Sequence, residues 1–207
     1  MKKISILSTT ILGNDITGGV DTNMFSVTEA VFIDVRSLGG GELRGLIYSY
    51  ISAGLPVVFT SKNAVKAVAA LVGDEQPNWK IYSLGPNTGK VVAQLFPGSA
   101  IVGTAPSAEG LAEIIVADGI KEVVFFCGDI RLDTLPDRLG KAGVLVRETI
   151  VYETISSPEK IEGTFDGILF FSPSGVKNFF EANVVASHTV LFAVGNTTAA
   201  EVAKYTG

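Results

Sequence analysis

Short apolar runs alternate with helical patterns along almost the whole chain, and that alternation constrains its fold more than any other feature. Runs rich in Val, Ile, Leu and Phe stand at 4–8, 31–37, 56–60, 79–84, 100–103, 122–127, 143–152, 167–172 and 189–194. Between many of them lie segments with helical periodicity, including "GELRGLIYSYISAG", "SKNAVKAVAALVG", "NTGKVVAQLF", "SAEGLAEIIVADG" and "LPDRLGKAG". Strands alternating with helices in this way predict an α/β fold with parallel sheets. Strands buried on both faces read as continuous apolar runs, which accounts for a hydrophobic fraction of 47%. No run of about 18 apolar residues is present, so a membrane-spanning helix is not expected. The opening "MKKISILSTTILG" mimics a secretory leader only superficially, because Ser5, Ser8, Thr9 and Thr10 interrupt it and no small-x-small site follows. It is read as a first strand.

Two motifs recur in the same order at nearly one offset. "VVFTSKNAV" at 57–65 is echoed by "GILFFSPSGV" at 167–176, and "SLGPNTGKVVA" at 83–93 by "FAVGNTTAAEVA" at 192–203. Ser61 thereby pairs with Ser172, and Gly85 with Gly195. Two motifs in register indicate an internal duplication and hence two similar parallel-sheet lobes. In each motif an apolar strand ends in Ser or Gly and a helix begins, so Ser61, Asn87, Ser172 and Thr197 are candidate helix caps. Capping alone explains any one of them. Four such loops, two per lobe, also describe an anion-binding cleft, since ligands of open parallel sheets bind beyond the carboxyl ends of the strands, where helix N–H groups point.

"VFIDVRS" and "RETIVYET" flank the first of these repeats. They read either as ordinary sheet strands or as two antiparallel linker strands, 31–37 and 147–154. The linker reading gives a discontinuous lobe made of 1–34 and 155–207 and a second lobe at 38–147, a pair expected to move relative to each other.

The remaining composition narrows the function. A net charge of −5 argues against a nucleic-acid surface, which needs clustered Lys and Arg. One cysteine, Cys127, cannot form an internal disulfide, which suits a cytoplasmic location, and its place in "VVFFCG" reads as a core thiol. One Cys and one His, His188, offer no metal-site spacing. "GGGELRG" at 39–45 lacks the Lys-Ser/Thr of a phosphate loop and the spacing of a dinucleotide fingerprint.

"VVFTSKNAV", "SLGPNTGKVVA", "FFCGDIRLDTLPDRLGKAG", "VRETIVYET", "ILFFSPSGVKNFF" and "FAVGNTTAAEVA", taken in order and spacing, resemble the uroporphyrinogen-III synthase family from about residue 55 onward. The resemblance implies two α/β lobes joined by a two-stranded ladder. It implies a hydro-lyase that closes hydroxymethylbilane, a linear tetrapyrrole bearing many carboxylates, into uroporphyrinogen III, losing water and inverting the last pyrrole ring through a spiro intermediate. No metal or organic cofactor is implied. The expected partner is this small polycarboxylate alone, with no nucleic acid, no membrane and a monomeric chain.

Carried over residue by residue, the resemblance makes Tyr152 the candidate for assisting departure of the hydroxyl. A phenol of ordinary pKa, about 10, is protonated at neutral pH and can donate. It makes Thr60, Ser61, Gly85, Thr88, Gly128, Asp129, Arg131, Ser172, Ser174, Thr197 and Thr198 candidate substrate contacts, with Arg131 the leading carboxylate partner. Without the family, Tyr152 reads as a packing tyrosine and Arg131 as a solvated one. Two departures stand out. Relatives follow their first strand with Thr-Arg and a full helix, where this chain has "LSTTILGNDITGGV". They also continue past the point where this sequence ends at "AAEVAKYTG", which implies that the discontinuous lobe is trimmed. A two-lobed binding protein without catalysis shares every physical feature except Tyr152.

Overall fold

The computed structural model describes residues 2–13 and 17–206. Among the described residues, ten strands form two sheets, with helices between them: β1 (Ile4–Ser8), β2 (Phe25–Glu29), β3 (Ile33–Ser37), α1 (Gly41–Ser52), β4 (Val57–Phe59), α2 (Lys62–Val72), β5 (Lys80–Leu84), α3 (Gly85–Leu95), β6 (Ala100–Ala105), α4 (Ala108–Ala117), β7 (Glu122–Gly128), α5 (Thr134–Lys141), β8 (Leu145–Ser156), β9 (Gly167–Phe170), α6 (Pro173–Ala182), β10 (Val190–Ala193) and α7 (Asn196–Thr206). Contacts divide the chain into two compact units, Met1–Asp34 with Ile155–Gly207, and Val35–Thr154. The expectation of an α/β fold with parallel sheets is met.

The larger sheet has the order β3-β8-β7-β4-β5-β6. Its pairs β7/β8, β7/β4, β4/β5 and β5/β6 are all parallel. Side chains alternate between the faces of a strand, and the core divides accordingly. Val57, Phe59, Ile81, Val124 and Phe126 pack with Ile47 and Tyr50 of α1, Val65 and Val68 of α2 and Val92 of α3. Val58, Tyr82, Val123, Phe125 and Cys127 pack with Leu111 and Ile115 of α4 and Leu135 and Leu139 of α5. Burial on both faces explains why β4 and β7 carry no polar alternation. Each fully buried Val, Ile or Phe contributes about 1.5–3 kcal/mol, and Phe59 also stacks on Phe96 and Phe126 at 6.0 and 5.4 Å.

The smaller sheet, order β10-β9-β1-β2, is parallel throughout. Leu7, Phe32, Ile168, Phe170, Val176 and Phe179 form its core, with Phe179 edge-on to Phe170 at 5.4 Å. Asp166 ties the start of β9 to that of β1: its Oδ2 accepts from the Ser5 N–H at 2.7 Å and from the Ser5 hydroxyl at 2.8 Å.

Three sequence expectations need correction. β2, "FSVTE", is not among the expected strands; it is an edge strand with only partial burial, so it needs no continuous apolar run. The strand expected at 31–37 begins at Ile33, and Phe32 before it is buried in the core of the smaller unit. Asn87 and Thr197 are not caps. α3 starts at Gly85 and α7 at Asn196, and the chain enters both through glycines of left-handed φ, Gly85 at 69° and Gly195 at 89°. The duplicated motif is thus a glycine turn rather than a side-chain cap. Asn14, Asp15 and Ile16 of the atypical segment after β1 lie outside the described residues.

Candidate active site

In the larger unit, the carboxyl ends of parallel β4, β5 and β7, with β8 where it passes the end of β7, surround a cavity of about 200 Å³. Thr60, Leu84, Gly128 and Tyr152 border it from the strand ends, and Ile130, Arg131 and Leu132 from the loop after β7. A bulge positions the tyrosine. Cys127 pairs with Ile150, but Gly128 pairs with Tyr152, so β8 carries one residue more than β7 at this point. The Tyr152 ring then covers Gly128. A Cβ there would lie 2.5 Å from Cε2 and Cζ and 2.8 Å from the hydroxyl oxygen, so no larger residue fits without displacing the ring. Tyr152 is 8% exposed.

The loop after β7 is fastened to β8. The Asp129 N–H donates to the Tyr152 carbonyl at 3.2 Å, and the Asp129 carboxylate accepts from the Thr154 N–H at 2.8 Å. The Arg131 guanidinium bridges two carboxylates, Asp133 through Nη1 and Glu148 through Nη2. Arg131 and Glu148 are roughly one-third exposed or less, at 28% and 33%, so solvent screens their pair less than an open surface pair. The loop leaves Ile130 and Leu132 at the open rim of the cavity, 60% and 71% exposed. Cys127 is 2% exposed; burial pushes its thiol up, against the lowering influence of Arg131.

The other expected residues of this unit take different places. Ser61 caps α2, its hydroxyl accepting from the Asn63 N–H at 3.1 Å. Gly85 opens α3, and Thr88 is buried within it. In the smaller unit Ser172 caps α6, accepting from the Gly175 N–H at 3.0 Å, and Ser174 is half-buried in the first turn. In α7 Thr197 is exposed and Thr198 buried at 2%. His188 is exposed.

Sequence reasoning missed Leu84, Ile130, Leu132 and Leu135 as cavity residues. The signal for Ile130 and Leu132 was present: two aliphatic residues alternate with Asp and Arg in a loop, where no core requires them. No group of His, Cys, Asp and Glu among the described residues could hold a metal ion. Among those residues, no helix is long and apolar enough to cross a membrane.

Residues 42–206 match the family described as uroporphyrinogen-III synthase HemD. The chain belongs to the uroporphyrinogen-III synthase family. Its fold is similar to that of a mutant uroporphyrinogen III synthase from the extremely thermophilic bacterium Thermus thermophilus, with a TM-score of 0.68 at 13% identity over 98% of this chain and 89% of that one. It is also similar to that of the uroporphyrinogen-III synthetase of Helicobacter pylori, with a TM-score of 0.67 at 16% identity over 97% and 88%. At these identities the solved structures speak for the fold, and the family match for the activity: cyclisation of hydroxymethylbilane to uroporphyrinogen III with loss of water and inversion of the last ring.

Proposed function

We propose that this chain carries out that cyclisation at the strand-end cavity of the larger unit, with Tyr152 assisting departure of the hydroxyl. The observation that carries the assignment is the Tyr152 ring seated on Gly128 at the cavity wall. A donor there meets the leaving oxygen as the C–O bond breaks and water departs. The carbon so activated is then attacked by the last pyrrole ring at its substituted position, giving the spiro intermediate. Spontaneous closure yields the non-inverted isomer. The enzyme's contribution is therefore largely to hold the chain in the geometry that favours the other carbon.

The substrate's carboxylates are met by N–H and hydroxyl donors at the strand-end loops. We assign this role to Thr60, Ser61, Gly85, Thr88 and Gly128, and in the smaller unit to Ser172, Ser174, Thr197 and Thr198, while Asp129, whose N–H is bonded to the Tyr152 carbonyl, serves by fastening the loop after β7. Two helix starts with capping serines support this, because a helix N-terminus favours anions whatever the net charge. The same reading takes the two units as lobes and β3 with β8 as the linker. In its support, the partners run in opposite directions: the Ser157 N–H donates to Phe32, Arg36 pairs with Glu153 at 2.6 Å, and the Leu38 N–H donates to Val151. A monomeric, cytoplasmic enzyme is part of the same proposal.

The test supplies fresh hydroxymethylbilane, oxidises the products and separates the uroporphyrin isomers. Isomer III formed faster than spontaneous closure is expected. Isomer I alone, at the spontaneous rate, overturns the assignment.

A further inference from the structure

Arg131 reads from sequence as a carboxylate partner, but its guanidinium is already engaged. Nη1 meets Asp133 and Nη2 meets Glu148, so one positive charge faces two negative ones at the cavity rim. A substrate carboxylate arriving there meets a net negative cluster. What the same loop does present is apolar: Ile130 and Leu132 line the cavity together with Leu84, Phe125 and Leu135.

The pair joins the loop after β7 to β8, the strand that carries Tyr152. It acts beside two backbone ties, from the Asp129 N–H to the Tyr152 carbonyl and from the Thr154 N–H to Asp129 Oδ1. The pairing bulge lies on β8 between Glu148 and these two ties, and a bulge leaves the ladder locally short of hydrogen bonds. A planar guanidinium that bridges two carboxylates resists rotation in a way a single point charge does not.

We propose that Arg131 and Glu148 form a positioning clasp that holds the 129–133 loop against β8 and so fixes the Tyr152 ring over Gly128. Arg131 is then not a ligand for substrate carboxylates. The inference rests on the proposed role of Tyr152.

The experiment compares Arg131→Gln, Arg131→Lys, Glu148→Gln and the Arg131→Gln/Glu148→Gln double variant in the full chain. It uses hydroxymethylbilane kinetics with isomer separation, and backbone hydrogen exchange. The clasp predicts that Glu148→Gln lowers kcat for isomer III about tenfold, equivalent to about 1.4 kcal/mol in the barrier. KM stays within about twofold, since no substrate contact is removed. Arg131→Lys, which keeps the charge but not the fork, is impaired likewise. The double variant is no slower than the worse single one, as for two parts of one device. The Asp129 and Thr154 amides exchange faster in every variant, while Phe126 in the adjoining core keeps its protection.

A direct substrate contact predicts the reverse: Glu148→Gln frees the guanidinium and lowers KM, and Arg131→Gln raises KM more than it lowers kcat. That pattern overturns the proposal, as does unchanged exchange at Asp129 and Thr154. Should the unmodified chain form no isomer III, the role of Tyr152 falls while the exchange data still decide whether the clasp exists. A variant that lost Phe126 protection as well would have unfolded, and Arg131→Lys, the mildest change, then decides.

Discussion

The hydroxyl end of the Tyr152 ring occupies the space where any residue but glycine at position 128 would place its Cβ. Gly128→Ala is therefore expected to act through the tyrosine. Overpacking of this kind costs about 1–3 kcal/mol, and the displaced ring should take most of the isomer III activity with it. In a Tyr152→Ala background the three nearest atoms are gone and the same alanine should cost much less. Urea midpoints of the four proteins in this cycle check the coupling.

Tyr152→Phe keeps the ring and removes only the hydroxyl. The fold should be retained. If the hydroxyl contributes one hydrogen bond to a group gaining charge, about 1.5–3 kcal/mol, the rate of isomer III formation falls about ten- to a hundredfold. The measurement is the ratio of isomers III and I as a function of enzyme concentration. A rate equal to that of the unmodified chain would demote the tyrosine to packing.

The duplicated serines separate capping from substrate binding. Ser61 and Ser172 accept from the Asn63 and Gly175 N–H groups, and Ser→Ala at a cap costs about 1 kcal/mol. Each substitution should lower the unfolding free energy by that amount, read as a downward shift of the unfolding midpoint. If the serines also serve the substrate, as proposed, KM rises as well. A midpoint shift with unchanged KM would leave capping as their whole role.

Asp166 gives the smaller unit a pH dependence. The Ser5 N–H and then the Ser5 hydroxyl, hydrogen-bonded to its carboxylate, hold it below the usual carboxylate range. A depressed folded-state pKa means that the unfolded chain binds the proton more readily. The contribution is complete above the ordinary Asp pKa, near 3.9, and is lost as pH falls through the depressed folded value. Asp166→Asn should remove this part of the acid limb, and Ser5→Ala should shrink it. Thermal melting from neutral pH into the acid range reads both.

Much of this molecule was legible in residues alone. The runs that became β4, β7 and β9 are apolar because parallel strands are covered on both faces, and the paired motifs at Ser61 and Ser172 announced two strand-to-helix turns of one kind. Local chemistry sufficed there, since an apolar run, a hydroxyl and a helical period act within a few residues. It failed where a weaker local rule competed. Asn87 and Thr197 looked like caps, but the left-handed glycines before them already turn the chain into its helix. β2 was invisible because a half-exposed edge strand needs no apolar run.

The arrangement at the cavity belongs to tertiary structure. Thr60, Gly128, Arg131 and Tyr152 could be named from sequence, yet only the parallel register of β4, β7 and β8 brings them to one end of a sheet. Only the extra residue in β8 seats Tyr152 on Gly128. Arg131 illustrates the difference most plainly: its sequence offers a cation, and the fold supplies Glu148 from a neighbouring strand. Charge is a property of a residue, but whether that charge is free is a property of what the fold places beside it.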